Sequence, residues 1–238
     1  MRVLVIIILL LAGGGAVSTA AELPPFDGLV EPKEQVEFSS PVPGILEKVT
    51  VDRGAWVKKG QVLARLNSGV EKAAVNLARA RYEFGKRKME RNQQLYEKKL
   101  MSAHHKDETE TEILLAELEL KETQEHLKLR TIRSTVEGVV VERQGAPGEY
   151  VGEEPFLTIA QLHPLIVEII VPVTYYGSIK KGDSGKVELE EPVSGSYSAK
   201  VIMVDQVIDA ATGTFGVRLE LPNPKLTLPA GLKCRVVF

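Results

Sequence analysis

Two hydrophobic periods divide this chain. From Thr214 to Leu221, Phe215, Val217, Leu219 and Leu221 alternate with Gly216, Arg218 and Glu220, and a period of two predicts a strand with one buried face. The apolar run Leu165–Val171 and the segments Gly185–Glu190, Tyr197–Val204 and Lys233–Phe238 predict further strands, separated by turn signals such as Lys181-Gly182-Asp183 and Pro222-Asn223-Pro224. Several short strands at this spacing predict a β-barrel over residues 161–238. Val36–Phe38 supplies its expected closing strand, so residues 22–38 are assigned to the barrel as an N-terminal strand that is distant in sequence.

Between Asn67 and Glu137 the period changes. Ile113, Ala116, Leu120, Thr123 and Leu127 are spaced by three and four residues, the a/d seam of a coiled coil. Val70, Ala73, Leu77, Ala80 and Phe84 repeat that spacing in a preceding helix, with Arg87, Arg91 and Gln94 diluting the seam further along. The stretch Lys99–Asp107, carrying Ser102, His104 and His105, breaks the period and predicts the turn of an antiparallel hairpin over residues 68–130. A first helix of about 30 residues at 1.5 Å each makes a rod of roughly 45 Å.

The hairpin interrupts a repeat. Pro43-Gly44-Ile45-Leu46 through Val62-Leu63 aligns without a gap on Glu137-Gly138-Val139-Val140 through Phe156-Leu157. Gly44 falls on Gly138, Gly54 on Gly148, Val57 on Val151, Leu63 on Leu157 and Trp56 on Tyr150. Each copy reads as two short strands around a glycine turn and is too small to bury a core alone; two copies packed face to face form a small β-sandwich. The halves, 39–67 and 131–160, resemble the two half-motifs of lipoyl and biotinyl carrier domains, and Gly54-Ala-Trp-Val57-Lys-Lys-Gly60-Gln-Val-Leu63 is close to their turn-and-strand pattern.

Met1-Arg2, the apolar run Val3–Ala12 and the small residues Ser18 to Ala21 have the order of a signal peptide over residues 1–21. The uncharged stretch Val3–Ala21 is also just long enough to serve as an uncleaved anchor, and either form exports the remainder. No cysteine lies near the cleavage site to carry a lipid. A formal charge of -2 across 238 residues offers nucleic acid no electrostatic footprint, and a single cysteine, Cys234, precludes an intrachain disulfide or a cysteine-clustered zinc site.

Catalysis finds no support: nucleophile elbow, phosphate-cradling glycine loop and HExxH signature are all missing from the sequence. Lys72-Ala73 resembles the pair at which carriers receive lipoate, but Lys72 falls in helical register between Val70 and Leu77, whereas a swinging-arm lysine needs an exposed β-turn. His104-His105 beside Asp107 suits a metal chemically, yet adjacent loop histidines seldom close a site, and Met89, Met101 and Met203 are too scattered for a thioether cluster. No cofactor or metal is therefore expected. Glu108, Glu110 and Glu112 read as a solvated helix face.

With export signal, divided lipoyl-like repeat, inserted hairpin and trailing barrel together, the chain is identified as resembling the periplasmic adaptor subunits of the membrane fusion protein family (HlyD/RND type), in a short form whose sequence stops before the membrane-proximal domain. The resemblance implies a mainly β protein with an inserted α-helical hairpin: a lipoyl-like barrel-sandwich hybrid, an antiparallel coiled coil and a β-barrel. It implies a periplasmic link between an inner-membrane RND or ABC transporter, contacted through the barrel, and a TolC-like outer-membrane channel, assembled as a homo-oligomer, trimer to hexamer. Arg91, Leu95 and Ser102 match the arginine, leucine and serine spacing that many members carry at the hairpin tip, implying that Arg91 and Ser102 hydrogen-bond to the duct while Leu95 packs there. A carrier protein modified at Lys72, or an exported structural or binding protein, are the competing readings.

Overall fold

The computed structural model describes residues 23–191 and 193–238, so the signal-peptide reading of residues 1–21 lies outside the described residues. In chain order the elements are β1 (Phe26–Pro32), β2 (Gln35–Phe38), β3 (Gly44–Val49), β4 (Trp56–Val57), β5 (Val62–Leu66), α1 (Gly69–Glu97) and α2 (Ala103–Leu129). There follow β6 (Thr131–Arg133), β7 (Gly138–Arg143), β8 (Tyr150–Val151), β9 (Leu157–Ala160), β10 (Leu165–Pro172), β11 (Ser184–Leu189), β12 (Gly195–Val204), β13 (Thr214–Leu221) and β14 (Lys233–Val237).

The two half-motifs make one sandwich. One sheet has the order β2-β9-β7-β4 and the other β6-β5-β3-β8, so each sheet takes its edge strand β4 or β8 from the opposite half. The exchange obeys the internal repeat: Gly54 N–H donates to the Val140 carbonyl at 2.8 Å, and Gly148 N–H donates to the Leu46 carbonyl at 2.8 Å. Gly54 and Gly148 both adopt positive φ (84° and 94°), a turn geometry that a Cβ would strain. Leu46, Val57, Leu63, Val140, Leu157 and Ile159 fill the shared core.

The symmetry reaches further upstream than the sequence match. β2 flanks β9 as β6 flanks β5, and buried Ser40 and Ser134 each donate their hydroxyl to a carbonyl two residues on, Val42 and Val136.

The barrel is closed, with strand order β1-β10-β13-β12-β11-β14, and its core includes Val30, Leu165, Val167, Ile169, Val217, Leu219 and Val236. β10 to β14 lie where the alternation places strands. The closing strand does not: Val36–Phe38 belongs to β2, antiparallel to β9 in the sandwich, and Phe38 is buried in the sandwich core. β1 closes the barrel instead, paired with β10 and β14. Its inward positions are Phe26, Gly28 and Val30, and a Cβ at Gly28 would lie 2.6 Å from Ile169 Cγ2. The close approach that fixes the strand thus removes the side chain that would have shown its period.

Cys234 lies on β14, buried, and desolvation together with the charges of Glu190 and Asp27 pushes its thiol up to about 11. Native Cys234 is expected to resist alkylation at pH 8 and to react only once urea opens the barrel, because the thiolate is the nucleophile; timed labelling read by intact mass checks this.

Candidate functional site

The hairpin leaves the sandwich between β5 and β6. Its base is pinned by Arg130, the residue that ends α2: Nη2 donates to Glu71 Oε1 at 2.6 Å and Nη1 to the Pro43 carbonyl at 2.9 Å. Both side chains of this pair are about four-fifths buried, so the contact joins α1, α2 and the sandwich out of bulk water. Three polar contacts then set the helix register: Arg81 with Glu119, Lys88 with Glu112, and Asn92 Nδ2 donating to Thr109 Oγ1 at 2.9 Å. Exposed ion pairs add little stability, but together with the buried Thr109 they admit one alignment of the antiparallel helices.

On α2 the expected seam holds: Ile113, Ala116, Leu120, Thr123 and Leu127 are its half-buried positions. On α1 it does not. The buried residues there are Val75 and Ala78, with Ala74, Tyr82, Gly85, Lys88 and Asn92 half-buried along the same line. Val70, Leu77 and Phe84 are 80%, 56% and 58% exposed. Leu77 sits one residue, about 100° around the helix, from Ala78, so the bulky heptad is a stripe on the flank. The helices approach closely at Gly85, where a Cβ would lie 3.2 Å from Ile113 Cγ1.

A second ridge stands on α2, where Leu114, Leu115 and Leu118 are 55%, 61% and 52% exposed and Leu129 is also exposed. Lying between the Lys88–Glu112 and Arg81–Glu119 pairs, Phe84 and Leu115 share one height along the rod, and Val70 is level with Leu129 beside Glu71 and Arg130. Charge divides likewise: α1 carries seven Lys or Arg against four Glu, and α2 three Lys against eight Asp or Glu. The rod is therefore basic along one helix, acidic along the other, and apolar on faces its own fold leaves uncovered.

The tip is shorter than the sequence suggested. α1 runs to Glu97 and α2 begins at Ala103, so His104, His105 and Asp107 stand in the first turns of α2, not in the loop. No glycine is needed because Lys99 takes the left-handed conformation (φ 58°). Ser102 is the N-cap of α2, its Oγ accepting the His105 N–H at 3.3 Å, so a bond to any partner would use its proton. Leu95 is 41% exposed, and Arg91 is exposed and makes no ion pair among the described residues. Arg91 follows Phe84 by seven positions, so it and Leu95 continue the flank stripe to the tip. Lys72 is exposed on the first turn of α1, helical backbone unlike the β-turn that presents a swinging arm.

Sequence reasoning misses the Arg130–Glu71 anchor and the Asn92–Thr109 contact, which have no periodic signature. The flank stripe is visible as a heptad but reads as the seam.

The family model described as the CzcB-like barrel-sandwich hybrid domain matches residues 34–161. Among curated proteins, the chain is 24% identical to the antibiotic efflux pump periplasmic linker protein ArpA of Pseudomonas putida, over 91% of this chain and 62% of that protein. It is likewise 24% identical to the toluene efflux pump periplasmic linker protein TtgA, also of Pseudomonas putida, over 91% of this chain and 60% of the relative. The chain thus spans about three-fifths of the length of these relatives.

Among solved structures, a MacA–MexA chimera containing the Pseudomonas aeruginosa MexA α-hairpin domain superposes with a TM-score of 0.78 at 18% identity, over 90% of this chain and 80% of that one. The membrane fusion protein Spr0693 of Streptococcus pneumoniae gives 0.73 at 18% identity, over 91% and 99%. With a symmetric two-half sandwich, a hairpin inserted between the halves, and a family match covering more than half its length, the chain belongs to the CzcB-like barrel-sandwich hybrid domain family.

Proposed function

We propose that this chain is a periplasmic adaptor of a tripartite efflux or secretion pump, linking an inner-membrane RND or ABC transporter to a TolC-like outer-membrane channel. The observation that carries the reading is the hairpin, which leaves Val70, Leu77 and Phe84 on α1 and Leu114, Leu115 and Leu118 on α2 exposed outside the seam between its own helices. A two-helix rod encloses no conduit, but copies set side by side do. The basic flank of α1 with Val70, Leu77 and Phe84 faces the acidic α2 of the next copy with Leu114, Leu115 and Leu118, a head-to-tail contact that closes into a ring. The relatives named as efflux pump periplasmic linkers support this role.

In this assembly the tips engage the duct. Leu95 packs into it while Arg91 and Ser102 donate hydrogen bonds, and the transporter supplies the energy by proton or ATP coupling. The adaptor holds the seal and performs no chemistry of its own. A carrier role at Lys72 is disfavoured by the helical setting of that lysine.

The test is photocrosslinking in intact cells from a benzoylphenylalanine placed at Leu95. An adduct with a TolC-like channel is expected, reduced several-fold by Arg91→Glu in the same chain. If neither a duct nor a transporter is recovered while the protein accumulates normally, an exported binding or structural role replaces this one.

A further inference from the structure

The two ends of the barrel differ. At one end Pro32 pairs with Leu165 and Leu165 with Leu221, and short connections lead into the sandwich. At the other, Pro172 pairs with Thr214 and Phe26 with Val236, and the segments 173–183 and 205–213 cap the strands. This free pole displays apolar side chains: Val207 is 83% exposed, and Val173, Tyr176, Met203 and Ile208 are all exposed beside it.

They form one surface rather than scattered residues. Val173 N–H donates to the Gly213 carbonyl at 2.8 Å, tying the two segments together. Tyr176 packs edge-on against Phe215, with centroids 5.2 Å apart, and with Met203 it lines a common hollow of about 420 Å³.

Charge does not account for the surface. Lys180 and Lys181 stand against Asp183, Asp205 and Asp209. Asp183 accepts the Lys180 N–H at 2.7 Å and Asp209 the Ala211 N–H at 2.8 Å, so two of the three carboxylates are engaged in shaping their own loops.

The chain also enters the molecule here. The Phe26 ring lies edge-on to Tyr175 at 5.6 Å, and Leu23 packs against the barrel core. The described residues thus begin at the pole where the loops expose Val207 and Ile208, and the sequence ahead of them carries the uncharged, bilayer-compatible stretch Val3–Ala21.

We propose that the free pole of the barrel is a membrane-contacting surface, with Val207 and Ile208 seated in the interfacial layer of a lipid bilayer and Val173, Tyr176 and Met203 at its edge. A bilayer fits better than a protein groove. The loops offer aliphatic tips and an amphipathic tyrosine, the pattern of shallow insertion, and the near-balanced charge makes binding insensitive to anionic lipid. The inference goes beyond the adaptor role, because the contact needs neither transporter nor duct.

The test uses the full chain carrying Val207→Cys labelled with the environment-sensitive fluorophore NBD; Cys234 is buried, so selective labelling at 207 is expected and is checked by intact mass. A second preparation carries the label at Leu115→Cys on the hairpin. With phosphatidylethanolamine vesicles, with or without phosphatidylglycerol, emission from position 207 is expected to rise several-fold and shift to the blue. It should be quenched by doxyl groups near the headgroup, while the hairpin label stays unchanged. Adding Ile208→Glu should abolish the response. If the chain floats with the vesicles through its N-terminal segment while the label at 207 remains in water, the proposal is overturned. A response that appears only when a purified transporter is added overturns it equally, by making the pole a protein-docking surface. The adaptor reading is scored separately, by the crosslink from Leu95.

Discussion

Gly138→Ala is expected to destabilise the sandwich by about 2–3 kcal/mol, at the upper end of the usual cost of overpacking, whereas Gly44→Ala, its partner in the internal repeat, leaves the sandwich nearly intact. The two glycines occupy equivalent positions at the starts of β7 and β3, but a methyl group meets different neighbours at each. At Gly138 it would press into the carbonyl of Ala160 and lie 2.9 Å from Ile159 Cγ2, both on β9. A ladder carbonyl in a buried sheet has nowhere to go. At Gly44 it would meet the guanidinium Nη1 of Arg130 at 2.6 Å, the far end of a flexible side chain, so the cost falls on the hairpin anchor. Trp56 is the only tryptophan and lies on β4, paired with β7 at Val139, so urea unfolding followed by its fluorescence reports the sandwich alone. Equal midpoint shifts for the two variants would show that the contacts at Ala160 do not carry the difference.

The contrast between Gly44 and Gly138 also marks how far the fold is legible in the chain. The repeat is readable because both halves need the same glycine turn and the same inward valine and leucine, and those constraints act on single residues. Its outer strands β2 and β6 are not readable: they share a position in the sheets but little sequence, since each has only one or two inward residues to constrain. Val36–Phe38 therefore reads as a barrel strand, while β1 is hidden because Gly28 replaces the middle member of its alternation.

The hairpin misleads differently. An a/d heptad marks a continuous apolar stripe, and on α1 that stripe lies on the exposed flank, not against α2. The inner positions run through Val75, Ala78, Tyr82 and Gly85, so the heptad of Val70, Leu77 and Phe84 points to the wrong face. The spacing of Arg91, Leu95 and Ser102 is readable in the sequence, whereas the place of Ser102 as the N-cap of α2 is not.

Leu77→Glu with Phe84→Glu is expected to abolish both self-association and efflux while leaving the hairpin folded. Neither side chain fills the seam, which runs through Val75, Ala78, Tyr82 and Gly85, so helicity by circular dichroism should match the wild type. In the proposed ring, what the pair loses is burial against a neighbouring copy. At roughly 1.5–3 kcal/mol for each large apolar side chain, two lost from every contact weaken each by about 3–6 kcal/mol, a hundredfold or more in dissociation constant.

The sign of the introduced charge then separates two contributions. Glutamate adds repulsion from the acidic α2 of the next copy, whereas Leu77→Lys with Phe84→Lys forfeits the apolar burial but preserves the attraction between basic and acidic helices. Sedimentation velocity should therefore order the chains as wild type, then lysine, then glutamate, with the gap between the two variants shrinking as salt screens the charges. Efflux, measured as drug tolerance in cells lacking the native adaptor, should follow the same order. If the glutamate chain assembles as the wild type does, the α1 flank lies outside the contact between copies, and a conduit built from adjoining hairpins would need another seam.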